Sequence, residues 1–294
     1  MDIKVIQTAD PIRYKRMLEA TSRTAVAYCE RHALSYESFV GIKRGYYGCH
    51  ATFNRIFMLT DLLERGWSDW VLYMDADAYF YDLKFDLREY LRPKAHMIGV
   101  MATIDGETIP WHINAGVLMF NLGHAACREL LNDWKSRFMA LNEDRLRALT
   151  SVWGDDNDQS MLCSALYDHP EWREHVYFEH AININHVHGT FIRQYLGAFD
   201  ENVETRTDTI EEAILNVLLR HGIVDAHEAG YEAILGALYR AVLGRNPDAS
   251  GLAGYIPHLA ARTTGDGIED VLNSLLDSQE GRHCIELRYE MTNT

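Results

Sequence analysis

Cysteine is scarce and scattered in this chain of 294 residues. The five cysteines, Cys29, Cys49, Cys127, Cys163 and Cys284, are odd in number and widely spaced, and no two of them form a CxxC pair. This pattern argues against a disulfide framework, which needs paired cysteines, and against a zinc cluster, which needs neighbouring ones. Free thiols fit a reducing compartment, so we expect the protein in the cytoplasm.

Long apolar runs and an excess of basic residues are also missing. No apolar run approaches the roughly 18 residues of a membrane-spanning helix, and the N-terminus shows no signal peptide, so we expect at most a peripheral membrane contact. The 28 basic and 43 acidic residues give a net charge of −15. Nucleic acids and anionic membranes are held by Lys and Arg clusters, so nucleic acid is not an expected partner. A phosphorylated substrate stays compatible, because a bound divalent cation supplies local positive charge.

Apolar strand patterns alternate with helical patterns over the first two thirds of the chain. Strands are predicted at residues 3–7, 35–40, 70–74, 96–101, 115–121, 176–178 and 182–188, and helices at 10–32, 51–64, 123–138 and 159–167. This alternation predicts an α/β fold with a wound sheet. A polar linker follows at residues 199–208, and beyond it every pattern is helical. We therefore predict two domains, residues 1–205 and a small all-α domain at residues 206–294.

Two aspartates, Asp75 and Asp77, end the third predicted strand. In open α/β sheets ligands bind at the carboxyl ends of the strands, where carboxylates are costly to bury unless they are paired or bind a cation. Hard oxygen ligands at such a place suit Mg²⁺ or Mn²⁺ held against phosphates. The simplest interpretation is a site for a metal–nucleotide diphosphate. The alternative is that both side chains cap the turn that follows.

Three later segments add further polar groups. An Asn and a Gly precede a buried strand, an acidic turn enters a helix, and two histidines share one face of an extended piece. Glycine before a strand would let a ligand approach the backbone closely. The segments are 113–121, with Asn114 and Gly116; 154–162, with Asp158 and Gln159; and 185–189, with His186, His188 and Gly189.

The order of these segments, DxD, then NAGV, then DQ, then HxxG, resembles that of GT-A-type nucleotide-sugar glycosyltransferases. The likeness is greatest to retaining families, particularly the galactosyl-, xylosyl- and mannosyltransferases related to yeast α-1,2-galactosyltransferase, and more distant to the glycogenin-like family. Residues 28–36 also resemble the YAxxHGY stretch of the first group. The resemblance implies a GT-A fold and a bacterial-type, metal-dependent transfer of a hexose or pentose from a UDP-sugar, with retention of configuration. A glycan, a lipid-linked saccharide or a protein would accept the sugar.

The resemblance also implies roles for individual residues. Asp75 and Asp77 would hold Mn²⁺ or Mg²⁺ on the diphosphate, and His186, three residues before Gly189, would complete the metal site, with His188 as the alternative ligand. Arg193 is the nearest substitute for the lysine that these families often place after HxxG, and Asn54 and Arg55 stand where a lysine commonly precedes the DxD. The remaining implied contacts are Gln7, Thr8 and Ala9 with uracil and ribose, Ala76 within the DxD turn, Asn114 and Gly116 with the sugar, and Asp158 and Gln159 as catalytic residues near the anomeric carbon.

Two other function classes stay open. A sugar-nucleotide pyrophosphorylase or other nucleotidyltransferase also places paired acids on an α/β sheet, but it usually has a Gly-rich first loop, and residues 8–11 here contain no glycine. A non-catalytic UDP-sugar-binding protein with a degenerate site is the third class, and the intact acidic and amide residues argue against it.

The C-terminal region carries a second resemblance. Residues 231–252 look like a small helical module and resemble the LYxxxLGRxPDxxGLxxW unit of bacterial surface and secreted proteins, with Tyr255 near the usual tryptophan. We expect this module to pack, to bind a partner or to mediate oligomerisation, and to take no part in catalysis. The Gly and Pro residues of the unit also suit a plain helix connection.

Overall fold

The computed structural model describes residues 1–104, 106–151, 156–196, 202–224, 226–261 and 264–292. Gly154 and Asp155 of the predicted acidic turn, and residues 199–201 of the predicted linker, lie outside the described residues. The strands are β1 (Ile3–Ala9), β2 (Ser35–Val40), β3 (Trp70–Asp75), β4 (Ala78–Phe80), β5 (Gly99–Thr103), β6 (Ile113–Asn121), β7 (Val176–Glu179) and β8 (Ile192–Gln194).

Helices alternate with these strands, which confirms the predicted α/β class. Short 3-10 turns at Gly48–Phe53 and Arg92–Lys94 join them. The helices are α1 (Lys15–His32), α2 (Asn54–Glu64), α3 (Leu87–Leu91), α4 (Ala125–Met139), α5 (Glu143–Ala148), α6 (Asp158–Asp168), α7 (Pro170–Arg173), α8 (Ala181–Ile184), α9 (Val203–Arg220), α10 (Ala226–Leu243), α11 (Ala249–Ala261), α12 (Thr264–Asp277) and α13 (Gln279–Thr292).

Six strands form one mixed sheet in the order β2-β1-β3-β6-β5-β7. β1 runs parallel to β2 and β3, and β7 runs parallel to β5. β6 is antiparallel to both of its neighbours, β3 and β5. β4 and β8 form a separate antiparallel pair in which Ala78 lies opposite Gln194. The parallel pairing of β1 with β3 brings their carboxyl ends to the same edge of the sheet, with Thr8 opposite Asp75.

Burial on both faces explains the unbroken apolar run of β3. Val71 and Tyr73 belong to the large core beneath α2, α4 and α6, whereas Leu72 and Met74 point to the opposite face and are buried as well. The strand becomes polar only at Asp75, where it reaches the edge of the sheet. This edge is therefore the first place along β3 where a charged group can meet a ligand.

Three secondary-structure predictions were wrong at particular places. The first helix begins at Lys15 and not at residue 10, because the Asp10 carboxylate accepts hydrogen bonds from the N–H groups of residues 12–14 and holds them in a bend. Residues 182–188 are no strand, because the His180 side chain caps the short helix α8 and the chain then turns back on itself. Residues 203–208 of the predicted linker are the start of α9.

The described chain divides into two compact units, Met1–Val217 and Leu218–Thr294. The second unit buries its own apolar core, which includes Tyr231, Leu235, Tyr239, Leu259 and Val271. The predicted boundary at residue 205 lies within the first turn of α9, and the independence of a domain that begins there stays a prediction.

The segment with the LYxxxLGRxPDxxGLxxW likeness joins α10 to α11 and is held by polar contacts. Arg245 binds the Glu280 carboxylate through two hydrogen bonds of 2.6 and 2.7 Å. Asp248 accepts a hydrogen bond from the N–H of Gly251 at the start of α11. These contacts give the segment a structural role, and binding of a partner through it stays a prediction. Over the described ranges, no helix combines the length and the apolar character that crossing a membrane requires.

Candidate functional site

A cavity of about 720 Å³ lies at the carboxyl ends of β1 and β3. Thr8, Ala9 and Asp10 line it from the first strand, and Asp75, Ala76 and Asp77 line it from the third. Its other walls come from the 3-10 turn after β2, from residues 150–151, from Arg13 and Tyr14, and from Arg206 of α9. The structure thus places five residues predicted to bind the nucleotide, Thr8, Ala9, Asp75, Ala76 and Asp77, around one cavity.

A buried arginine joins two of the predicted acids. Arg55 on α2 is 3% exposed, and its Nη2 donates to Asp75 Oδ1 at 2.7 Å while its Nε lies 3.0 Å from Asp158 Oδ2. Arg55 also donates to the Ala115 carbonyl oxygen, and the Tyr73 hydroxyl donates to Asp75 Oδ1 at 2.6 Å. Burial disfavours the charge of Arg55, but Asp158 and Asp75 outweigh that effect and leave its pKa raised.

The surroundings of Asp75 and Asp77, the two acids of the DxD turn, disfavour the charged form of both side chains. Burial, partly offset by Arg55, raises the pKa of Asp75 to about 7, and the neighbouring Asp77 adds to the rise. Burial also raises the pKa of Asp77, against the opposing effects of Arg206 and a hydrogen bond from Gln194. A cation bound between these carboxylates would relieve both the burial cost and their mutual repulsion, so the residues fit a divalent metal.

The predicted sugar-contacting segments meet around Asn114. The Asn114 side chain accepts from the N–H of Gly116 at 2.9 Å, and the Gln159 side chain accepts from the N–H of Ala115 at 3.0 Å. Asp158 is 4% exposed at the N-terminus of α6, next to Arg55. The structure therefore brings Asn114, Gly116, Asp158 and Gln159 together beside Asp75, although none is among the described residues that line the 720 Å³ cavity.

Gln7 has a different place from the one expected of a uracil contact. It is 0% exposed, and its Nε2 donates to the carbonyl oxygens of Asp75 and Ala78, each at 3.2 Å. The Tyr36 hydroxyl donates to its Oε1 at 3.1 Å. These bonds fix the turn that carries Asp75 and Asp77, so Gln7 positions the acidic pair from beneath.

The predicted third metal ligand is not assembled with the acidic pair. Among the residues that the structure describes, no three His, Cys, Asp or Glu side chains come together as a metal site, so His186 does not join Asp75 and Asp77. The His186 Nδ1 accepts from the N–H of His188 at 3.0 Å, and His188 is exposed. Gly189 lies in a tight turn where a Cβ would overlap the Ile192 carbonyl oxygen.

Arg193 also lies apart from the cavity. Its guanidinium stacks 3.4 Å from the centre of the Tyr81 ring, and its Nε donates to the Gly189 carbonyl oxygen at 3.1 Å. The next residue of β8, Gln194, points the other way and donates from Nε2 to Asp77 Oδ1 at 2.9 Å and to Asp75 Oδ2 at 3.4 Å. In strands successive side chains face opposite sides, which accounts for this difference.

Sequence reasoning missed a buried cation that lines the cavity. Arg206 is 2% exposed, and its Nη2 donates to the Tyr14 hydroxyl at 2.7 Å, but its Nε has no hydrogen-bond partner. A buried guanidinium with an unsatisfied donor is costly and suits an anionic ligand. The only sequence signal was its position in the supposed linker, where a charged residue is ordinary.

The mixed sheet and its flanking helices have the GT-A fold, the fold of nucleotide-diphospho-sugar transferases, which confirms the predicted fold class. No family model matches the sequence, and neither does any curated protein. Among solved structures, the chain resembles a glycosyltransferase involved in the glycosylation of the major capsid of PBCV-1. The TM-score is 0.54 at 12% identity, over 72% of this chain and 100% of that one.

Two further solved structures match with lower TM-scores. The apo-form glycosyltransferase GlyE of Streptococcus pneumoniae matches with a TM-score of 0.44 at 15% identity, over 76% of this chain and 64% of that one. A putative glucose-1-phosphate thymidylyltransferase of Bacillus anthracis matches with a TM-score of 0.36 at 10% identity, over 71% and 96%. At 12% identity the likeness to the PBCV-1 protein shows the fold alone, and the reaction has to be argued from the site.

Proposed function

We propose that this protein is a metal-dependent glycosyltransferase that moves a hexose or pentose from a UDP-sugar to a glycan, a lipid-linked saccharide or a protein, with retention of configuration. The observation that carries the proposal is the pair Asp75 and Asp77, which opens on a cavity at the carboxyl edge of the sheet. A bound Mn²⁺ or Mg²⁺ would neutralise charge that develops on the departing diphosphate. The order of the sequence segments supports the transferase class and the nucleotide.

Within this proposal, the cavity takes the nucleoside diphosphate. Thr8 and Ala9 face the base and ribose, and Asp75 and Asp77 hold the cation. Arg206 replaces Arg193 as the cation for the diphosphate, because Arg206 lines the cavity with an unsatisfied donor whereas Arg193 is engaged by Tyr81 and Gly189. Arginine suits phosphate oxygens because its planar fork offers several donors.

The sugar would lie on the Arg55 side of the acidic pair, near Asn114 and Gly116. Asp158 is buried and ion-paired with Arg55, so it acts on the donor through that guanidinium and is a positioning residue. Gln159 holds the backbone of Ala115 in the same way. We therefore assign Asp158 and Gln159 a supporting role in place of the catalytic role that the resemblance implied.

The structure also weighs against a nucleotidyltransferase. Phosphate-binding loops offer free backbone N–H groups to the substrate. Here the Asp10 carboxylate accepts from the N–H groups of Ile12, Arg13 and Tyr14, at distances of 2.8–3.1 Å. The loop after β1 therefore already satisfies the donors that a triphosphate would need.

A nucleotide-sugar screen tests the proposal. The purified protein is incubated with UDP- and GDP-sugars in the presence of Mn²⁺, Mg²⁺ or a chelator, and release of UDP or GDP is measured. We expect slow, metal-dependent UDP release from at least one UDP-sugar. Binding of UDP without release from any donor would favour the non-catalytic binding protein, and release of pyrophosphate from a nucleoside triphosphate and a sugar phosphate would favour the nucleotidyltransferase.

The stereochemical course is a separate prediction. We expect an α-linked product from an α-linked UDP-sugar, observed by proton NMR of the first turnover. Inversion needs a general base that faces the acceptor, whereas Asp158 is paired with Arg55 and Asp10 is bound by three N–H groups. In a retaining, front-face reaction a donor phosphate oxygen can accept the proton instead. A β-linked product would contradict the prediction and would point to a base outside this cluster.

The position of α9 predicts which part of the chain is required for hydrolysis of the sugar donor. A protein that ends after Gly222 keeps all of α9, including Arg206 and the Arg16 ion pairs with Asp208 and Glu211 at 2.5 and 2.8 Å. We expect it to retain metal-dependent UDP release, while transfer to an acceptor or an oligomeric contact through α10–α13 is lost. A protein that ends after Asn202 lacks Arg206, and we expect its UDP affinity to fall at least about tenfold, the usual scale for one lost charge-assisted contact. Equal UDP affinity of the two shortened proteins, measured by calorimetry, would contradict the role given to α9.

A further inference from the structure

Gln194 occupies the space between the two acids of the DxD turn. The antiparallel pairing of β8 with β4 places it opposite Ala78, and the N–H of Tyr195 donates to the Asp77 carbonyl oxygen at 3.1 Å. The Gln194 side chain is 2% exposed, and its single Nε2 reaches oxygens of both carboxylates, Asp77 Oδ1 at 2.9 Å and Asp75 Oδ2 at 3.4 Å. One amide thus bridges the pair of carboxylates that the proposed function assigns to the metal.

The other half of this amide is unsatisfied. Gln194 Oε1 is buried and has no hydrogen-bond partner. A buried acceptor without a donor costs about 1–3 kcal/mol, so such an atom calls for a partner. The oxygen and nitrogen of an amide have nearly the same shape, so rotation of the terminal group by half a turn exchanges their places. In the rotated state Oε1 would face Asp75 Oδ2 and Asp77 Oδ1, and only a cation between the three oxygens would make that arrangement favourable.

The surroundings are built to keep Gln194 at this place. Gly116 on β6 packs against the amide so closely that a Cβ there would overlap it. Asp75 Oδ1 is already taken by Arg55 and Tyr73, which leaves Oδ2 on the Gln194 side. The sequence had suggested that Gly116 makes room for a ligand, and the structure shows that it makes room for Gln194.

We propose that Gln194 is the third protein ligand of the divalent cation, in the place that the sequence had assigned to His186. This inference rests on the proposed metal-dependent function. Two carboxylate oxygens and one amide oxygen form a hard, oxygen-only ligand set, which suits Mg²⁺ or Mn²⁺ and leaves positions for diphosphate oxygens and water. In the amide orientation that the structure shows, Nε2 bridges the two acids and offsets their mutual repulsion.

Metal affinity measured directly, without turnover, tests this assignment. Free Mn²⁺ is followed by electron paramagnetic resonance during titration of the full-length protein in the presence of UDP. We expect Gln194→Met to weaken Mn²⁺ binding at least about tenfold, since even residues that only support a metal ligand cost 10–100-fold. Gln194→Glu keeps a ligand oxygen, and we expect its Mn²⁺ affinity to equal or exceed that of the unaltered protein. The exposed Gln279→Met serves as the matched control with unchanged affinity.

A second measurement tests whether the Gln194 side chain binds the metal. The side-chain NH₂ signal of Gln194, assigned by its loss in Gln194→Met, should shift on addition of Mg²⁺ and broaden with Mn²⁺ in ¹H–¹⁵N spectra. The variant His186→Ala distinguishes the two candidate ligands, His186 and Gln194. The inference would be overturned if Mn²⁺ binding were weaker in His186→Ala and unchanged in both Gln194→Met and Gln194→Glu. Failure of the unaltered protein to bind Mn²⁺ with UDP would instead refute the proposed function itself.

Discussion

Replacement of Asp77 by alanine should abolish Mn²⁺-dependent binding of UDP and lower donor turnover at least about 100-fold, because the diphosphate charge loses a cation held in place for it. The fold should stay intact, since the change removes one of two mutually repelling buried carboxylates and leaves the Arg55–Asp75 contact untouched. Calorimetry with UDP, with and without Mn²⁺, measures the first effect, and thermal unfolding checks the second.

The matched control for this experiment is Asp61→Ala. Asp61 is a partly exposed aspartate on α2, and its carboxylate forms an ion pair with Lys43 at 2.8 Å. Its loss should leave both UDP affinity and turnover unchanged, because surface ion pairs contribute little. An Asp77→Ala protein that binds UDP and Mn²⁺ as tightly as the Asp61→Ala protein would refute the metal assignment.

Loss of the buried Arg55 should cause the largest change in stability. We expect Arg55→Met to lower the free energy of unfolding by about 3–5 kcal/mol, the range for breaking a buried ion pair from one side. The reason is that Asp75 and Asp158 would both lose the guanidinium that holds them at 2.7 and 3.0 Å. Urea unfolding followed by circular dichroism measures this loss.

A second substitution separates charge from packing. If uncompensated charge dominates, Asp158→Asn added to Arg55→Met should restore part of the lost stability, since it removes one of the two orphaned carboxylates. If the losses of unfolding free energy caused by Arg55→Met and Asp158→Asn simply add, packing dominates. Arg55 then stabilises the fold through its contact with the Ala115 carbonyl oxygen and its position 4.5 Å from the Tyr73 ring. The double-mutant cycle then contradicts the electrostatic account.

Much of the fold could be predicted from periodicity. The strands predicted at residues 35–40 and 70–74 match β2 and β3, and the second of them is an unbroken apolar run that leaves few other choices. The failures have local causes. The Asp10 side chain accepts hydrogen bonds from N–H groups that the first turn of a helix would leave free, so the helix begins later. At residues 182–188 the apolar pattern is too short to distinguish a strand from a helix, and a short capped helix forms there.

The site could be predicted where its residues adjoin the ends of strands. Thr8, Ala9, Asp75 and Asp77 fall there, and the parallel pairing of β1 with β3 brings them together. Arg55, Gln194 and Arg206 come from the first turn of a helix, a three-residue strand and an apparent linker. Spacing marked only Arg55, which stands near the place of a lysine that commonly precedes the DxD, whereas the importance of Gln194 and Arg206 arises from burial beside the acids.

Asp10 satisfies the backbone N–H groups of the loop after β1. Its carboxylate holds three consecutive N–H groups, so the protein supplies its own anion to backbone donors of the kind that bind phosphate in other loops. The loop is consequently ordered before any nucleotide arrives, and binding spends little conformational entropy there. Substitution of this single aspartate by glycine would leave the same three N–H groups without their acceptor and open to an anion from solution.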